Sequence, residues 1–193
     1  MKNFLPKNLK IILASKSPRR QFLLKELGLD FEVRTKDIDE SFPSSLKGQD
    51  IALYVCRKKA TAFSRSLKEN ELLITADTIV CIGNSVLNKP SDEKDAAEML
   101  KILSGKMHVV FTAVCLKTTK KEKLFFAGTN VYFKPLGKEE IDYYIKNFNP
   151  FDKAGAYGAQ EWIGYIGIEK IEGSYFNVMG LPVKELYEEL LKF

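Results

Sequence analysis

A single histidine, His108, and three cysteines, Cys56, Cys81 and Cys115, are all that this chain has of the side chains that most often bind zinc or serve as activated nucleophiles. The cysteines are widely scattered and form no C-x-x-C pair, so neither a disulfide framework nor a zinc site is indicated, and all three are expected to be reduced core residues. With one histidine, placed at the start of a β-rich stretch, no Ser/His/Asp or Cys/His mechanism can be assembled, and His108 reads as structural. No apolar run approaches the roughly 20 residues needed to span a bilayer, and Met1-Lys2-Asn3-Phe4-Leu5-Pro6-Lys7 lacks the apolar centre of a secretory signal. A soluble, cytoplasmic protein with no membrane partner is expected. Internal repeats, low-complexity segments and flexible linkers are missing as well. The net charge of +5 suits a small polyanion but is too dispersed to argue for nucleic acid as a partner.

What is present is an ordinary globular composition: 193 residues, 45% hydrophobic, with 12 glycines and seven prolines, enough to bury a sizeable core. A single domain over residues 1–193 is expected, bilobed but one continuous fold. The chain is organised around Ile11-Ile12-Leu13-Ala14-Ser15-Lys16-Ser17-Pro18-Arg19-Arg20, where a short apolar run of strand character meets a helix start with Ser at the N-cap and Pro at the first helical position. Free N–H groups and the positive end of the helix dipole point out of such a corner, and Ser15, Ser17, Lys16, Arg19 and Arg20 surround them with donors and charge. The corner is built for an anion; an ordinary capped helix with solvated basic residues is the plain alternative.

A second informative stretch is Leu72-Leu73-Ile74-Thr75-Ala76-Asp77-Thr78-Ile79-Val80-Cys81-Ile82, an apolar, β-branched run with a carboxylate near its middle. Burying an unpaired carboxylate is costly, so Asp77 must meet a cation, a metal or a set of donors, which makes it the first candidate for catalysis. Gly83-Asn84 then turns the chain so that a hairpin brings Lys89 back near the level of Asp77. Between the two stretches lie a short strand over residues 30–34, a polar loop whose Asp39 and Glu40 offer carboxylates to a metal, and a helix expected from Gly48 to about Lys68 that carries Lys59.

Further along, a helix is expected from Ser91-Asp92-Glu93 to Gly105, two long antiparallel strands over residues 107–117 and 123–133, and a helix over residues 137–147. Asp152-Lys153-Ala154-Gly155-Ala156-Tyr157-Gly158-Ala159-Gln160-Glu161 is too rich in glycine for a stable helix and too poor in apolar residues for a core strand, so it reads as a ligand-contacting loop. Its glycines fit neither a dinucleotide fingerprint nor a Walker A loop. β character is expected to resume over residues 162–171, and Leu181-Pro182 opens a closing amphipathic helix. Alternating strands and helices with an antiparallel hairpin make an α/β fold: a mixed twisted sheet with flanking helices.

Together, Leu13-Ala14-Ser15-Lys16-Ser17-Pro18-Arg19-Arg20, Ala76-Asp77-Thr78-Ile79-Val80, Lys89-Pro90, Asp152-Lys153-Ala154-Gly155-Ala156-Tyr157-Gly158-Ala159-Gln160 and Gly173-Ser174-Tyr175-Phe176-Asn177-Val178-Met179-Gly180-Leu181-Pro182 resemble the successive motifs of the Maf family of nucleoside triphosphate pyrophosphatases. The resemblance implies a two-lobed fold with a central cleft, similar to the inosine triphosphate pyrophosphatases, a divalent metal, and hydrolysis of a nucleoside triphosphate to the monophosphate and pyrophosphate. Arg19, Thr78 and Gln160 are similar to the branch that acts on dTTP and UTP; the 7-methyl-GTP branch differs at these places. After the Gln the family usually has Gly, and this chain has Glu161-Trp162, a departure that bears on the base-contacting loop.

The chemistry of the residues agrees with that resemblance. Breaking the bond between α- and β-phosphates needs charge neutralisation on both sides of the bond, an in-line water and a group to take its proton. Asp77 is assigned to the proton, with Mg²⁺ or Mn²⁺ held by Asp77 together with Asp39 or Glu40. Ser15, Arg19, Arg20, Lys59 and Lys89 hold the triphosphate, while Thr78 and Gln160 read the base. Two other readings stay open: a non-catalytic nucleotide-sensing regulator of cell division and a nucleic-acid-binding module, the latter lacking an extended basic face with interleaved aromatics. A homodimer is compatible with the sequence.

Overall fold

In the computed structural model, which describes residues 9–193, the first apolar run forms β1 (Lys10–Leu13), with Ile11, Ile12 and Leu13 all buried. The stretch read above for a secretory signal lies outside the described residues. Three consecutive buried side chains mean that both faces of β1 are covered, as in a parallel strand inside a sheet. Indeed β1 lies parallel to both β2 (Phe31–Val33) and β3 (Glu71–Ile82). The crossovers are α1 (Pro18–Glu26), capped by Ser17 and closed at Gly28 (φ 73°), and α2 (Gln49–Ala62). At the start of β3 the buried Glu71 carboxylate receives both Nη atoms of Arg34, at 3.0 and 2.8 Å, and the Lys68 N–H at 3.0 Å, which hold it well below the usual carboxylate range, at about 2.

β4 (Ser85–Leu87) folds back on β3 through the expected Gly83-Asn84 turn. After it come α3 (Glu93–Leu103), β5 (Met107–Lys117), β6 (Glu122–Phe133), α4 (Lys138–Phe148), α5 (Trp162–Gly167), β7 (Ile168–Glu172), α6 (Tyr175–Met179) and α7 (Val183–Leu190). The sheet has seven strands in the order β2-β1-β3-β5-β6-β7, with β4 on β3; it is mixed, as expected, since β3–β4 and β6–β7 are antiparallel. Among the described residues, no helix is long and apolar enough to cross a membrane.

The described chain divides into two compact units. One takes the residues up to Asp77 with Thr112–Ala127 and Gly180–Phe193; the other takes Thr78–Phe111 and Gly128–Met179. The first unit's α2 buries Ile51, Ala52, Val55 and Cys56, neighbours on one face at helical spacing. In the second, Val80, Leu100, Val110, Val131, Tyr144 and Ile163 belong to one buried apolar cluster.

Two expectations need correction. α2 stops at Ala62 rather than near Lys68, because Phe63 turns inward to full burial and the Ser66 hydroxyl donates to the Phe63 carbonyl (3.1 Å), offering the backbone a partner outside the helix. Residues 162–167 are helical, not extended: the Glu161 carbonyl accepts from the N–H groups of Gly164 (2.9 Å) and Tyr165 (3.2 Å), starting a turn that the sequence pattern does not announce. The stretch over residues 152–161, read above as a loop, is largely buried. It forms two 3₁₀ turns, Pro150–Asp152 and Ala154–Ala156, and buries Ala156, Tyr157 and Ala159. Its Gly155 (φ 71°) lies against Val80, where a Cβ would come within 3.1 Å of the valine methyls, so glycine there serves close packing as well as backbone freedom.

Candidate active site

In the first unit, β1 ends by handing the Ala14 N–H to the Ile74 carbonyl (2.9 Å), and the chain then bends into α1. Ser15, almost fully buried, accepts hydrogen bonds at its hydroxyl from the Ser17 N–H (3.2 Å) and from Arg20 Nη1 (3.4 Å). Arg20 Nε donates to the Gly180 carbonyl (2.8 Å), so two of the guanidinium's donor positions are fixed before any ligand arrives. Burial lowers the Arg20 pKa, and the Asp77 charge is the largest effect opposing it. Arg19 is half-buried in the first turn of α1, and Lys16 reaches out to Asp37 as an exposed ion pair (3.0 Å).

Asp77 is placed by two periodicities. On β3, residues 75 and 77 point to the same face; on α2, residues 56 and 59 do. The Thr75 hydroxyl donates to the Cys56 carbonyl (3.0 Å), pinning strand to helix, and one step along each element Lys59 Nζ meets Asp77 Oδ1 at 2.7 Å. Lys59 also bonds Glu40 Oε1 at 2.8 Å, so a single ammonium holds two carboxylates. Its side chain is 13% exposed and that of Asp77 10% exposed, so the pair is mostly withdrawn from water. The neighbouring Lys58 takes the neighbouring Asp39 (3.0 Å), whose carboxylate also receives the N–H (2.9 Å) and hydroxyl of Ser41. Those bonds hold the Asp39 carboxyl far below the ordinary carboxylate range. Burial pushes the Cys56 thiol up to about 12, so it is no nucleophile.

The expected metal ligands are therefore divided between two lysines. Among the described residues, no group of three or more His, Cys, Asp and Glu side chains is arranged to hold a metal ion. Asp77 and Glu40 nonetheless offer two hard oxygen donors at one place. That number suits Mg²⁺ or Mn²⁺, which keep several waters and take substrate phosphate as further ligands, so the donor chemistry fits a divalent cation. Asp39 could join only by leaving Lys58 and Ser41.

In the second unit, Thr78 is half-buried on β3 and Lys89 is exposed beyond β4. The ladder pairs Val80 with Leu87 and ends there, two residues before Lys89. The Gln160 carbonyl accepts from the Tyr165 hydroxyl (2.7 Å), while its side-chain Oε1 is buried with no hydrogen-bond partner. His108 is fully buried, bonded through Nε2 to the Tyr157 hydroxyl (2.8 Å) and edge-on to Phe133; this supports the structural reading.

Sequence reasoning missed three features. The Gly180 carbonyl that orients Arg20 has no residue-type signature. The Glu40–Lys59 pair joins residues whose closeness only the fold reveals. Tyr144, Lys153 and Glu161 form a polar knot under Gln160; the signal was there in Lys153, a lysine inside a stretch of small apolar residues, which is 6% exposed.

A family model described as "Maf-like protein" matches residues 10–193. A dTTP/UTP pyrophosphatase of Bacteroides thetaiotaomicron is 55% identical over 183 residues, covering 94% of this chain and 95% of that one. One of Phocaeicola vulgatus, with the same description, is 54% identical over 184 residues and 95% of each chain. Among solved structures, the Ham1 protein of Staphylococcus aureus matches with a TM-score of 0.52 at 14% identity, covering 93% of this chain and 99% of that one, a likeness of fold.

Proposed function

The chain belongs to the Maf family, and we propose that it is a dTTP/UTP pyrophosphatase, hydrolysing these triphosphates to the monophosphate and pyrophosphate. The observation that carries the mechanism is the withdrawn carboxylate of Asp77, held at 2.7 Å by an ammonium that also holds Glu40, in the unit that contains the Arg20 corner. In the reaction, a water oxygen attacks the α-phosphorus and the bond from that phosphorus to the oxygen bridging towards the β-phosphorus breaks. The water oxygen ends on the monophosphate, pyrophosphate leaves with the bridging oxygen, and Asp77 takes the water's proton. Arg20, its orientation set by Gly180 and Ser15, presents a fork that matches phosphate oxygens two at a time. Arg19, Ser15 and Lys89 add donors for the triphosphate. Lys59 is a compact charge that moves between carboxylate and phosphate at little geometric cost. When bound by Asp77 and Glu40, with Asp39 as a further ligand if it leaves Lys58, Mg²⁺ or Mn²⁺ supplies Lewis-acid polarisation and offsets phosphate charge.

The base is assigned to the second unit. Gln160 Oε1 is a buried acceptor without a donor, a costly state of about 1–3 kcal/mol that the ring N–H of uracil or thymine relieves. Thr78 adds a hydroxyl that donates or accepts. The relatives' names favour this pyrimidine reading over 7-methyl-GTP. A panel of nucleoside triphosphates, assayed for pyrophosphate release with and without Mg²⁺, tests the proposal: metal-dependent release from dTTP and UTP is expected. Release of inorganic phosphate in place of pyrophosphate, or none from either nucleotide, overturns it.

A further inference from the structure

Resting on the reading of Gln160 as the base-recognising residue, the geometry points to Glu161 as a positioning residue that fixes the Gln160 amide through Tyr144 and Lys153, so that substrate selectivity depends on a side chain that contacts no substrate. The Glu161 carboxylate is used at both oxygens. The Tyr144 hydroxyl donates to Oε2, and Lys153 Nζ lies 3.0 Å from Oε1. The same Tyr144 hydroxyl accepts the Gly158 N–H at 3.0 Å, so a side chain anchored in α4 grips the recognition loop at residues 158 and 161, on either side of Gln160. Lys153 is itself held by Asp152 Oδ1 (2.7 Å) and its side chain is 7% exposed. Burial and the Glu161 carboxylate push the Tyr144 hydroxyl above its ordinary range, so it remains a donor.

Glu161 and Gln160 also share one spot. A Cβ built on Gly158 would lie 2.7 Å from Glu161 Cδ and 3.0 Å from Gln160 Nε2, so the carboxylate and the amide pack side by side over the bare Gly158 backbone. Behind them the Gln160 carbonyl is held by Tyr165, and Gly164 lets the Ala159 carbonyl come so near that a Cβ there would stand 2.1 Å from the oxygen. The backbone around Gln160 is thus clamped, and what remains adjustable is the side-chain amide. A glutamine has three rotatable bonds, and a reading contact needs its acceptor in one place. The Glu161 carboxylate closes off one side of the space in which that amide could turn.

The test uses Glu161→Gln, Glu161→Ala, Gly158→Ala and Tyr144→Phe in the full chain, each checked for folding by thermal melting, with kcat and KM for dTTP and CTP as the readout. Glu161→Ala and Gly158→Ala are expected to lower the dTTP-over-CTP ratio of kcat/KM by about 10-fold or more, through a higher KM for dTTP with kcat within about twofold. Glu161→Gln keeps an acceptor for Tyr144 while Lys153 keeps Asp152, so it should retain most of the selectivity; Tyr144→Phe should fall between. At Gly158→Ala the three atoms nearest the new Cβ belong to the Glu161 and Gln160 side chains, so these two are the first to be displaced, and the melting curve reports whether the loop holds. Gln160→Ala separates the two ideas. If it flattens the selectivity while the folded Glu161→Ala and Gly158→Ala proteins keep the parent ratio, Gln160 reads the base and the positioning role is overturned. Should Gln160→Ala itself leave the ratio intact, both readings fail.

Discussion

Lys59 Nζ sits 2.7 Å from Asp77 Oδ1, and the same nitrogen is 2.8 Å from Glu40, so the acid assigned to proton transfer is not alone in the interior but shares its counter-ion. This sharing makes a clean variant available. Asp77→Asn keeps the shape and a hydrogen-bond acceptor for Lys59, and Glu40 still compensates the ammonium, so the fold should survive. Turnover should drop by about 10² or more, the scale for loss of a general base. Thermal melting and steady-state pyrophosphate release check the two halves, and near-native turnover in a folded variant removes Asp77 from the mechanism.

The Arg20 corner predicts a distinction between ligands. Arg20→Ala removes a guanidinium whose donors are pre-oriented by Gly180 and Ser15, so triphosphate binding should weaken at least about tenfold while nucleoside binding changes little. Arg20→Lys should not restore it, because a single ammonium cannot hold the Gly180 carbonyl and two phosphate oxygens in the same fork. Titration calorimetry with dTTP under non-hydrolysing, metal-free conditions and with thymidine decides the matter; equal losses for both ligands would show that the corner does not address phosphate.

Much of this was legible in the sequence, and what was not has a physical reason. Apolar runs announce β1 and β3 because buried parallel strands need them, and Ser17-Pro18 announces α1 because a cap needs an acceptor and a residue without an N–H. Asp77 stands out since a carboxylate in such a run demands a partner. Which partner is another matter: Lys58 and Lys59 sit side by side in sequence, as do Asp39 and Glu40, and only the helix's turn of about 100° per residue sends Lys58 to Asp39 and Lys59 to Glu40 and Asp77. The stretch over residues 152–161 is harder to read for the opposite reason. Its glycines and alanines read as a ligand-contacting loop, and the same small residues are what close backbone packing selects.

Gly164 carries a stability prediction from that packing. A Cβ there would stand 2.1 Å from the Ala159 carbonyl oxygen, a backbone atom fixed in the core, so nothing flexible can give way. Gly164→Ala should cost at least about 2 kcal/mol in spite of alanine's better helix propensity. Chemical denaturation measures it; a neutral or stabilising effect would mean that α5 shifts freely against the loop.

His108 gives a pH dependence. Burial lowers its pKa from 6.5 to about 4, so between those values the unfolded chain binds a proton that the folded one refuses. Stability from this group is full above about pH 6.5, falls as the pH drops towards about 4, and loses nothing more below that, a total on the order of 3 kcal/mol. Because the chain has one histidine, no other imidazole contributes to that window. His108→Gln should flatten the curve of unfolding free energy between pH 6.5 and 4.5, whatever it does to stability at neutral pH. A slope unchanged in the variant would assign the effect to other groups.

The proposed role of Gln160 makes substrate choice depend on one unpartnered atom. Gln160 Oε1 is buried and accepts nothing within the folded chain, so the ligand that relieves it must bring a donor. The ring N–H of uracil and thymine is such a donor, and dTTP and UTP should be cleaved with similar efficiency, since the 5-methyl group adds only a small apolar term of about 1 kcal/mol. Cytosine presents a bare ring nitrogen at the same place, setting acceptor against acceptor, and such polar mismatches discriminate far more than a methyl does. CTP should therefore be poorer by at least about tenfold in kcat/KM. Purine triphosphates, 7-methyl-GTP among them, should be poorer still on size. Competition at equal concentrations of dTTP, UTP, CTP and 7-methyl-GTP, resolved by chromatography of the monophosphates, gives the ranking directly. If 7-methyl-GTP is preferred, the base assignment to Gln160 falls while the roles proposed for Asp77, Lys59 and Arg20 stand, because they concern the phosphates that all four nucleotides share.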